Sequence, residues 1–334
     1  MTDRPADSAP IVTRHPGEVC VVIAAMNASA TIGRAVASAL AERHVGEVIV
    51  VDDGSSDPTP DAARAADDGS GRLRVIELPD NIGPSAARNR AFAASRAPYL
   101  AILDADDFIL PGRFDRLMAV AGWDLIADDI VFVREEAADT FDPASVRRGT
   151  GLVEVLDLPG FVRRNIPSGP IQRGELGFIK PVMRRAFLEQ AGLRYDETLR
   201  LAEDYALYVR ALAAGASFLL THSCGYVAIE RAGSLSGRHG TADLAALVAE
   251  DAALAALPGL TGEALEALAA HRLHTQRKLD HRLFLDRRRE GSTLGAISGF
   301  GAAALARIAA DVARDKLAAR RAPPGDTGPR YLLG

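Results

Sequence analysis

The residues in this chain best suited to chemistry are carboxylates gathered at the ends of apolar runs. Leu103-Asp104-Ala105-Asp106-Asp107 places three acids within four residues, directly after the apolar run Tyr99 to Leu103. Oxygen ligands crowded in this way repel one another unless a hard divalent cation such as Mg²⁺ or Mn²⁺ offsets the charge, and such a cation also binds a diphosphate. A solvated acidic turn before the Pro111 helix is the alternative. Upstream, Val51-Asp52-Asp53-Gly54-Ser55-Ser56-Asp57 ends another apolar run. Carboxylates there can accept hydrogen bonds from a base N–H or from ribose hydroxyls, although Asp-Gly-Ser equally suits a plain turn.

Three further segments carry polar side chains in suggestive order. In Asn81-Ile82-Gly83-Pro84-Ser85-Ala86-Ala87-Arg88-Asn89 a turn feeds a helix. Gly83 permits a ligand to approach closely, and Arg88 either reaches a phosphate or a base or pairs with a nearby acid. Leu201-Ala202-Glu203-Asp204-Tyr205 opens a helix whose dipole favours acids in the first turn. The same dipole keeps a carboxylate ionised, the state in which it takes a proton from an incoming hydroxyl. The loop from Arg231 to His239 packs hydroxyls, Arg231, Arg238 and an imidazole together. It reads either as a closure over a diphosphate, with His239 on the same metal, or as an ordinary surface loop. His271, His274 and His281 read as solvated helix positions without a metal-binding carboxylate pattern.

The elements that must position these groups are legible from periodicity. Val19 to Ala24, Val48 to Val51, Leu73 to Leu78 and Tyr99 to Leu103 are short runs rich in apolar and β-branched residues, separated by turns and helical stretches. Ile32, Val36, Ala39 and Leu40 share a helical face, and Ser85 to Ser95 reads as a helix ended at Ala97-Pro98. Strands apolar on both faces and joined by helices make a parallel sheet, with ligands at the carboxyl ends. Farther on, Ile130 to Arg134 reads as a strand and Arg147 to Glu175 as a long functional loop. Helices are expected over Pro181 to Ala191 and Glu203 to Ala214, strands over Ser217 to Thr221 and Gly225 to Ile229, and helices almost throughout from Ala242.

With 334 residues, 48% hydrophobic and 25% charged, the chain has the makeup of a globular protein with a large core, which excludes disorder, collagen and a small disulfide scaffold. Cys20 and Cys224 lie in separate apolar runs and read as buried thiols. The acidic N-terminal stretch lacks the apolar core of a secretory signal and no long uncharged apolar run occurs, so a cytoplasmic chain is expected. A net charge of −5 argues against general nucleic-acid binding. The charge is uneven: from His271 to Arg321 twelve Lys and Arg face five Asp and Glu. Arg277, Lys278, Arg282, Arg287, Arg288 and Arg289 interleave with leucines there, a pattern suited to an anionic membrane surface or to packing on the body or a second subunit.

Taken in order from about Val19 to His239, these segments resemble the family 2 inverting glycosyltransferases with the nucleotide-diphosphosugar (GT-A) fold. The motifs that carry the likeness are Val50-Val51-Asp52-Asp53-Gly54-Ser55-Ser56-Asp57, the Asp104-Ala105-Asp106-Asp107 run, and Tyr195-Asp196-Glu197 followed by Glu203-Asp204. The resemblance implies an α/β fold, a Rossmann-like mixed sheet flanked by helices with a C-terminal helical extension. It divides the chain into a flexible 1–16, a catalytic domain 17–240, a helical region 241–322 for membrane or subunit contact, and a flexible tail 323–334. It further implies that Asp52 and Asp53 hold uridine or its counterpart, that Asp104 and Asp106 hold ribose and metal-bound diphosphate, and that Asp204 is the base. Ala24, Ala25, Asn27, Gly83, Arg88, Ala105, Glu203, Arg231 and Arg238 are expected as the remaining nucleotide-sugar contacts, with Asp107 and His239 beside Asp104 and Asp106 as expected ligands of Mn²⁺ or Mg²⁺.

Where family members often read Pro-x-Tyr-Asn, this chain has Ala24-Ala25-Met26-Asn27. The Asp104 to Phe108 and Arg231 to Ser236 phrases, with the basic helical tail, look most like bacterial exopolysaccharide glycosyltransferases of the succinoglycan glucosyltransferase type. The implied function is transfer of a hexose, glucose by that likeness, from a UDP-sugar to a hydroxyl of a lipid-linked oligosaccharide. That activity is expected at the inner face of a bacterial inner membrane, with a homodimer through the C-terminal helices as an option. The competing readings are an inactive nucleotide-sugar-binding scaffold and an Asp-x-Asp phosphotransfer enzyme, the latter disfavoured by Phe108 two places after Asp106. A nicotinamide dehydrogenase is excluded, since no Gly-x-Gly-x-x-Gly follows a strand.

Overall fold

The computed structural model describes residues 18–147, 149–167, 175–231, 240–291, 296–321 and 328–333. The N-terminal half alternates strand and helix: β1 (Val19–Ala25), α1 (Ile32–Leu40), β2 (Val45–Asp53), α2 (Thr59–Ala65), β3 (Leu73–Leu78), α3 (Pro84–Ala94), β4 (Tyr99–Ile102) and the short β5 (Phe108–Ile109). Next come α4 (Arg113–Met118), β6 (Leu125–Arg134), β7 (Val153–Leu156), α5 (Leu158–Arg163), β8 (Val182–Arg184), α6 (Arg185–Gln190), α7 (Glu203–Ala213) and β9 (Phe218–Glu230). Helices α8 (Thr241–Ala255), α9 (Gly262–Glu290) and α10 (Ala302–Arg321) precede a last strand, β10 (Arg330–Tyr331).

All ten strands belong to one sheet, in the order β3-β2-β1-β4-β8-β6-β9-β5, with β10 on β6 and β7 on β9. The first four pair in parallel, and β8 runs antiparallel to both β4 and β6. Strand β1 is buried on both faces, with Val19 to Ile23 fully inaccessible, which is why it reads as a continuous apolar run. Because β2 and β3 lie to one side of β1 and β4 to the other, the strand order reverses between β1 and β4. The carboxyl ends of these strands border the crevice where an open α/β sheet takes its ligand. The residues after β1, β2 and β4 all open there.

Several expectations are corrected. Pro181 to Ala191 is not one helix: Val182 and Met183 are buried as part of a strand between β4 and β6, and the helix starts only at Arg185. A short apolar run does not reveal its period, so tertiary pairing decides. The supposed loop from Arg147 holds β7 and α5, the latter opened by the Asp157 side chain accepting from Gly160 N at 2.7 Å. The two strands expected around Cys224 are one, β9, whose register against β6 slips near Asp128 and Asp129.

The tail is not frayed over 328–333. There β10 pairs antiparallel with β6, Leu332 is buried, and Leu333 N donates to Asp129 Oδ1 at 3.0 Å. The 1–16 segment lies outside the described residues. Cys20 and Cys224 are free, buried thiols, and burial pushes Cys20 up to about 12.

The C-terminal helices are docked on the catalytic body. The pair α8 and α9 packs on α5 and α7, and buried Asp251 of α8 joins them, accepting from Tyr205 Oη of α7 at 3.3 Å and contacting His271 Nδ1 of α9 at 2.9 Å. The Tyr205 and His271 rings stack at 4.4 Å. His271 is therefore not a solvated helix position, because an acid with no exposed surface needs its partner. Some of the basic residues of α9 also serve internally: Arg282 and Arg289 contact Asp286, and Arg287 donates to Ser298 O. No helix among the described residues is long and apolar enough to cross a membrane.

Candidate active site

Two turns form one wall of the crevice. Asp53, at the end of β2, accepts from Ile82 N at 2.7 Å with Oδ1, and from Gly83 N and Asn81 Nδ2, each at 2.9 Å, with Oδ2. Asp52 accepts from Ser55 N at 3.2 Å. Both acids are nearly inaccessible, and these bonds make them stabilisers of the turns. Gly54 has φ +71, and a Cβ there would stand 2.7 Å from Asn81 N, so only glycine lets the two turns touch. Asn27, after β1, donates its N–H to Ser55 Oγ and accepts from Ser56 N, which ties the first turn to the second. Met26 and Ile82, 51% and 43% exposed, are the apolar surface beside these turns, and Met26 Sδ touches Asn81.

The centre of the site is a cluster of opposite charges. Arg88, presented by α3, contacts Glu203 Oε1 at 2.8 Å, Asp104 Oδ1 at 3.0 Å and Asp204 Oδ1 at 3.7 Å. Its carbon lies 5.2 Å from the Tyr195 ring centroid, and its buried Nε has no hydrogen-bond partner among the described residues. Lys180 Nζ stands 2.7 Å from Asp204 Oδ2 and 3.0 Å from Asp104 Oδ2. Tyr195 Oη donates to Asp204 Oδ1 at 2.7 Å. Burial and the Asp204 carboxylate push the Tyr195 phenol well above its ordinary value, so it remains a donor. Asp104 is held low: burial opposes its charge, but Lys180 and Arg88 outweigh that.

The three adjacent acids after β4 have different uses. Asp107 is nearly inaccessible and faces inward, accepting from Tyr226 Oη and Ile229 N, each at 2.8 Å. As placed, both its oxygens are engaged inside the protein rather than presented to a metal. Burial, then Asp106 and Asp104, push its pKa well up. A carboxyl raised in the folded state is easier to keep protonated there than in the unfolded chain. Its stabilising contribution is therefore full below the ordinary carboxylate range and lost as pH rises through the raised value. Asp107→Asn is expected to flatten that decline. Urea midpoints at pH 5 and pH 8 test it, and identical pH slopes for both proteins would reject the assignment. Asp106 is a third exposed, with Arg231 Nε 3.8 Å from its carboxylate and Arg34 donating to its backbone carbonyl. Burial and the Asp104 charge raise its pKa.

Of these carboxylates Asp106 is the one open to a divalent cation. Mg²⁺ and its analogues typically bind through one or two carboxylates plus substrate phosphates and water, and the Asp106 carboxylate is under-compensated in the cluster. Among the described residues no group of three His, Cys, Asp or Glu is arranged around one metal position; Asp106 presents the more open carboxylate, while Asp104 has one oxygen on Arg88 and the other on Lys180. Arg238 and His239 lie outside the described residues. Ala24, Ala25 and Ala105 line the strand ends, Ala25 being buried.

Lys180, Tyr195 and Tyr226 join the site without a role that the sequence alone reveals. A lone lysine in the apolar run Phe178 to Met183 was the available signal, since a buried ammonium requires an anionic partner.

Fold and cluster together define a GT-A protein, a sheet whose strand tips and one facing helix assemble acids around a crevice. The solved structure of S. aureus TarS 1-349 in complex with UDP-GlcNAc has this fold, with a TM-score of 0.59 at 16% identity, covering 95% of this chain and 97% of that one. A model of glycosyl transferase family 2 matches residues 20–180. Succinoglycan biosynthesis protein ExoU of Rhizobium meliloti (strain 1021) is 47% identical over 322 residues, 96% of this chain and 93% of that protein. ExoO of the same organism, also described as a succinoglycan biosynthesis protein, is 38% identical over 252 residues, 73% of this chain and 69% of its own length. The chain belongs to glycosyl transferase family 2 and is a glycosyltransferase.

Proposed function

We propose that this enzyme moves a hexose, glucose in the reading favoured here, from a UDP-sugar to a hydroxyl of a lipid-linked oligosaccharide during exopolysaccharide assembly, inverting the anomeric centre. The observation that carries it is the meeting of the Asp204 carboxylate with the strand-tip acid Asp104 across Lys180. The roles named for ExoU and ExoO support the pathway. Exposed Arg272, Leu273 and Arg277 on α9 support presentation at an anionic leaflet, where a lipid-linked acceptor is found.

In this mechanism the turns after β1 and β2 receive the nucleoside, with Met26 offering an aliphatic face where relatives often carry a tyrosine. Asp104 and Asp106 would hold Mn²⁺ or Mg²⁺, which when bound offsets charge on the diphosphate leaving group. Asp204 takes the proton of the acceptor hydroxyl as its oxygen attacks from the side opposite the leaving group. Tyr195 and Lys180 fix the orientation of that carboxylate. One displacement inverts configuration, and no covalent sugar–enzyme intermediate is needed.

UDP release from UDP-glucose in the presence of acceptor lipid, with Mn²⁺ and then with EDTA, tests the proposal. Turnover with the metal and a loss of about a hundredfold or more in EDTA are expected, because offsetting leaving-group charge is worth several kcal/mol. A panel of UDP-sugars in which glucose is not used would overturn the donor assignment, and undiminished turnover in EDTA would overturn the metal.

A further inference from the structure

Lys180 precedes β8, and its backbone is held from two directions. Ile179 O accepts from Tyr208 Oη at 3.1 Å, and Lys180 O accepts from Arg113 Nη2 at 2.5 Å. The side chain is 8% exposed and brings its ammonium between the acid ascribed to the donor diphosphate, Asp104, and the acid ascribed to the acceptor hydroxyl, Asp204. An ammonium has three N–H donors, and two carboxylates leave one for a ligand oxygen. Burial works against the charge, but Asp104 and Asp204 outweigh it and hold the group above its ordinary value. A lysine that served only to neutralise Asp204 would not need to reach Asp104 as well. Its position spans the two partners of the reaction.

We propose that Lys180 is a catalytic residue that donates a hydrogen bond to the β-phosphate of the nucleotide sugar and shares the charge that develops there as the sugar departs. The proposal rests on the nucleotide-sugar reading above. The acceptor oxygen bonds to the anomeric carbon and its proton passes to Asp204. The electron pair of the breaking carbon–oxygen bond remains on the β-phosphate oxygen, next to the Lys180 N–H, and the lysine keeps its own proton. Since this cation is part of the chain, some recognition of the diphosphate persists without any metal.

Calorimetric titration of the full chain with UDP and with uridine, in EDTA and in Mn²⁺, tests this. In EDTA the wild type is expected to prefer UDP to uridine, and Lys180→Met to lose about tenfold to a hundredfold of UDP affinity, the value of one charge-assisted hydrogen bond. Unchanged uridine affinity shows that the nucleoside turns are still folded. If Lys180→Met does not fold, Lys180→Met/Asp204→Asn removes the stranded acid, and Asp204→Asn alone is then the reference. An equal preference for UDP with and without the lysine overturns the proposal, as does a wild-type preference that exists only in Mn²⁺. A wild type that binds UDP no better than uridine even in Mn²⁺ overturns the nucleotide-sugar reading itself.

Discussion

Replacing Asp204 by Asn is expected to lower sugar transfer by about two to four decades, the usual worth of a positioned general base, while leaving UDP affinity within a few-fold of wild type. Asparagine preserves the size of the side chain and keeps an oxygen for Tyr195 Oη or Lys180 Nζ, so the cluster loses basicity before it loses shape. In the proposed mechanism the acceptor hydroxyl then has no group to take its proton as the new bond forms. Turnover is read as UDP release in the presence of acceptor, and affinity as binding of UDP with Mn²⁺. A variant that retains more than about a tenth of wild-type turnover would reject Asp204 as the base. Loss of UDP affinity in parallel with turnover would instead make it part of the donor pocket. Glu203 gives the contrast: it pairs with Arg88 at 2.8 Å and does not contact Lys180 among the described ion pairs.

The second large effect is on stability. Arg113→Met is expected to cost about 3–5 kcal/mol, because it leaves Asp128 charged and buried without its partner. Arg113 has no exposed surface and Asp128 1%, with Nε 2.9 Å from Asp128 Oδ1. Burial pushes Asp128 upward and Arg113 opposes that shift. The pair is packed so closely that a Cβ at Gly225 would stand 2.5 Å from Arg113 Cγ and 2.6 Å from Asp128 Oδ2. Arg113→Met/Asp128→Leu is expected to recover most of the loss, since a buried ion pair often exchanges with apolar residues at little net cost. Urea unfolding of the single and double variants measures both terms. A single variant within about 1 kcal/mol of wild type would mean that Asp128 finds another partner or protonates without penalty.

The strands that build the crevice were legible because β1, β2 and β4 are apolar segments that break at polar turns, acidic after β2 and β4, and α3 was legible because a turn with Gly83-Pro84 opens it. Two kinds of information were not. Strand β8 has three residues and a proline before it, so its apolar pattern alone cannot separate strand from helix, and only its pairing with β4 and β6 decides. Side-chain direction is equally hidden: Asp104, Asp106 and Asp107 are neighbours of one residue type, yet Asp107 turns into the core toward Tyr226, more than a hundred positions away. The same distance conceals Lys180. Its partners come from the end of β4 and the start of α7, and no local pattern joins those segments. Charged neighbours on its helix make His271 look wet in the sequence, whereas its partner Asp251 belongs to the preceding helix.

Strand β10 has a bearing on how the molecule is made. The inner flank of β6 beyond Ile126, where Val131 and Phe132 meet Tyr331 and Arg330, is completed by a segment some two hundred positions downstream. During synthesis the rest of the sheet can be assembled while this flank still lacks its neighbour, exposing a strand border that invites pairing with another nascent chain. The helices between Thr241 and Arg321 have to emerge and settle before the border is closed, so the tempo of translation through them governs how long the half-finished sheet is open to misassembly.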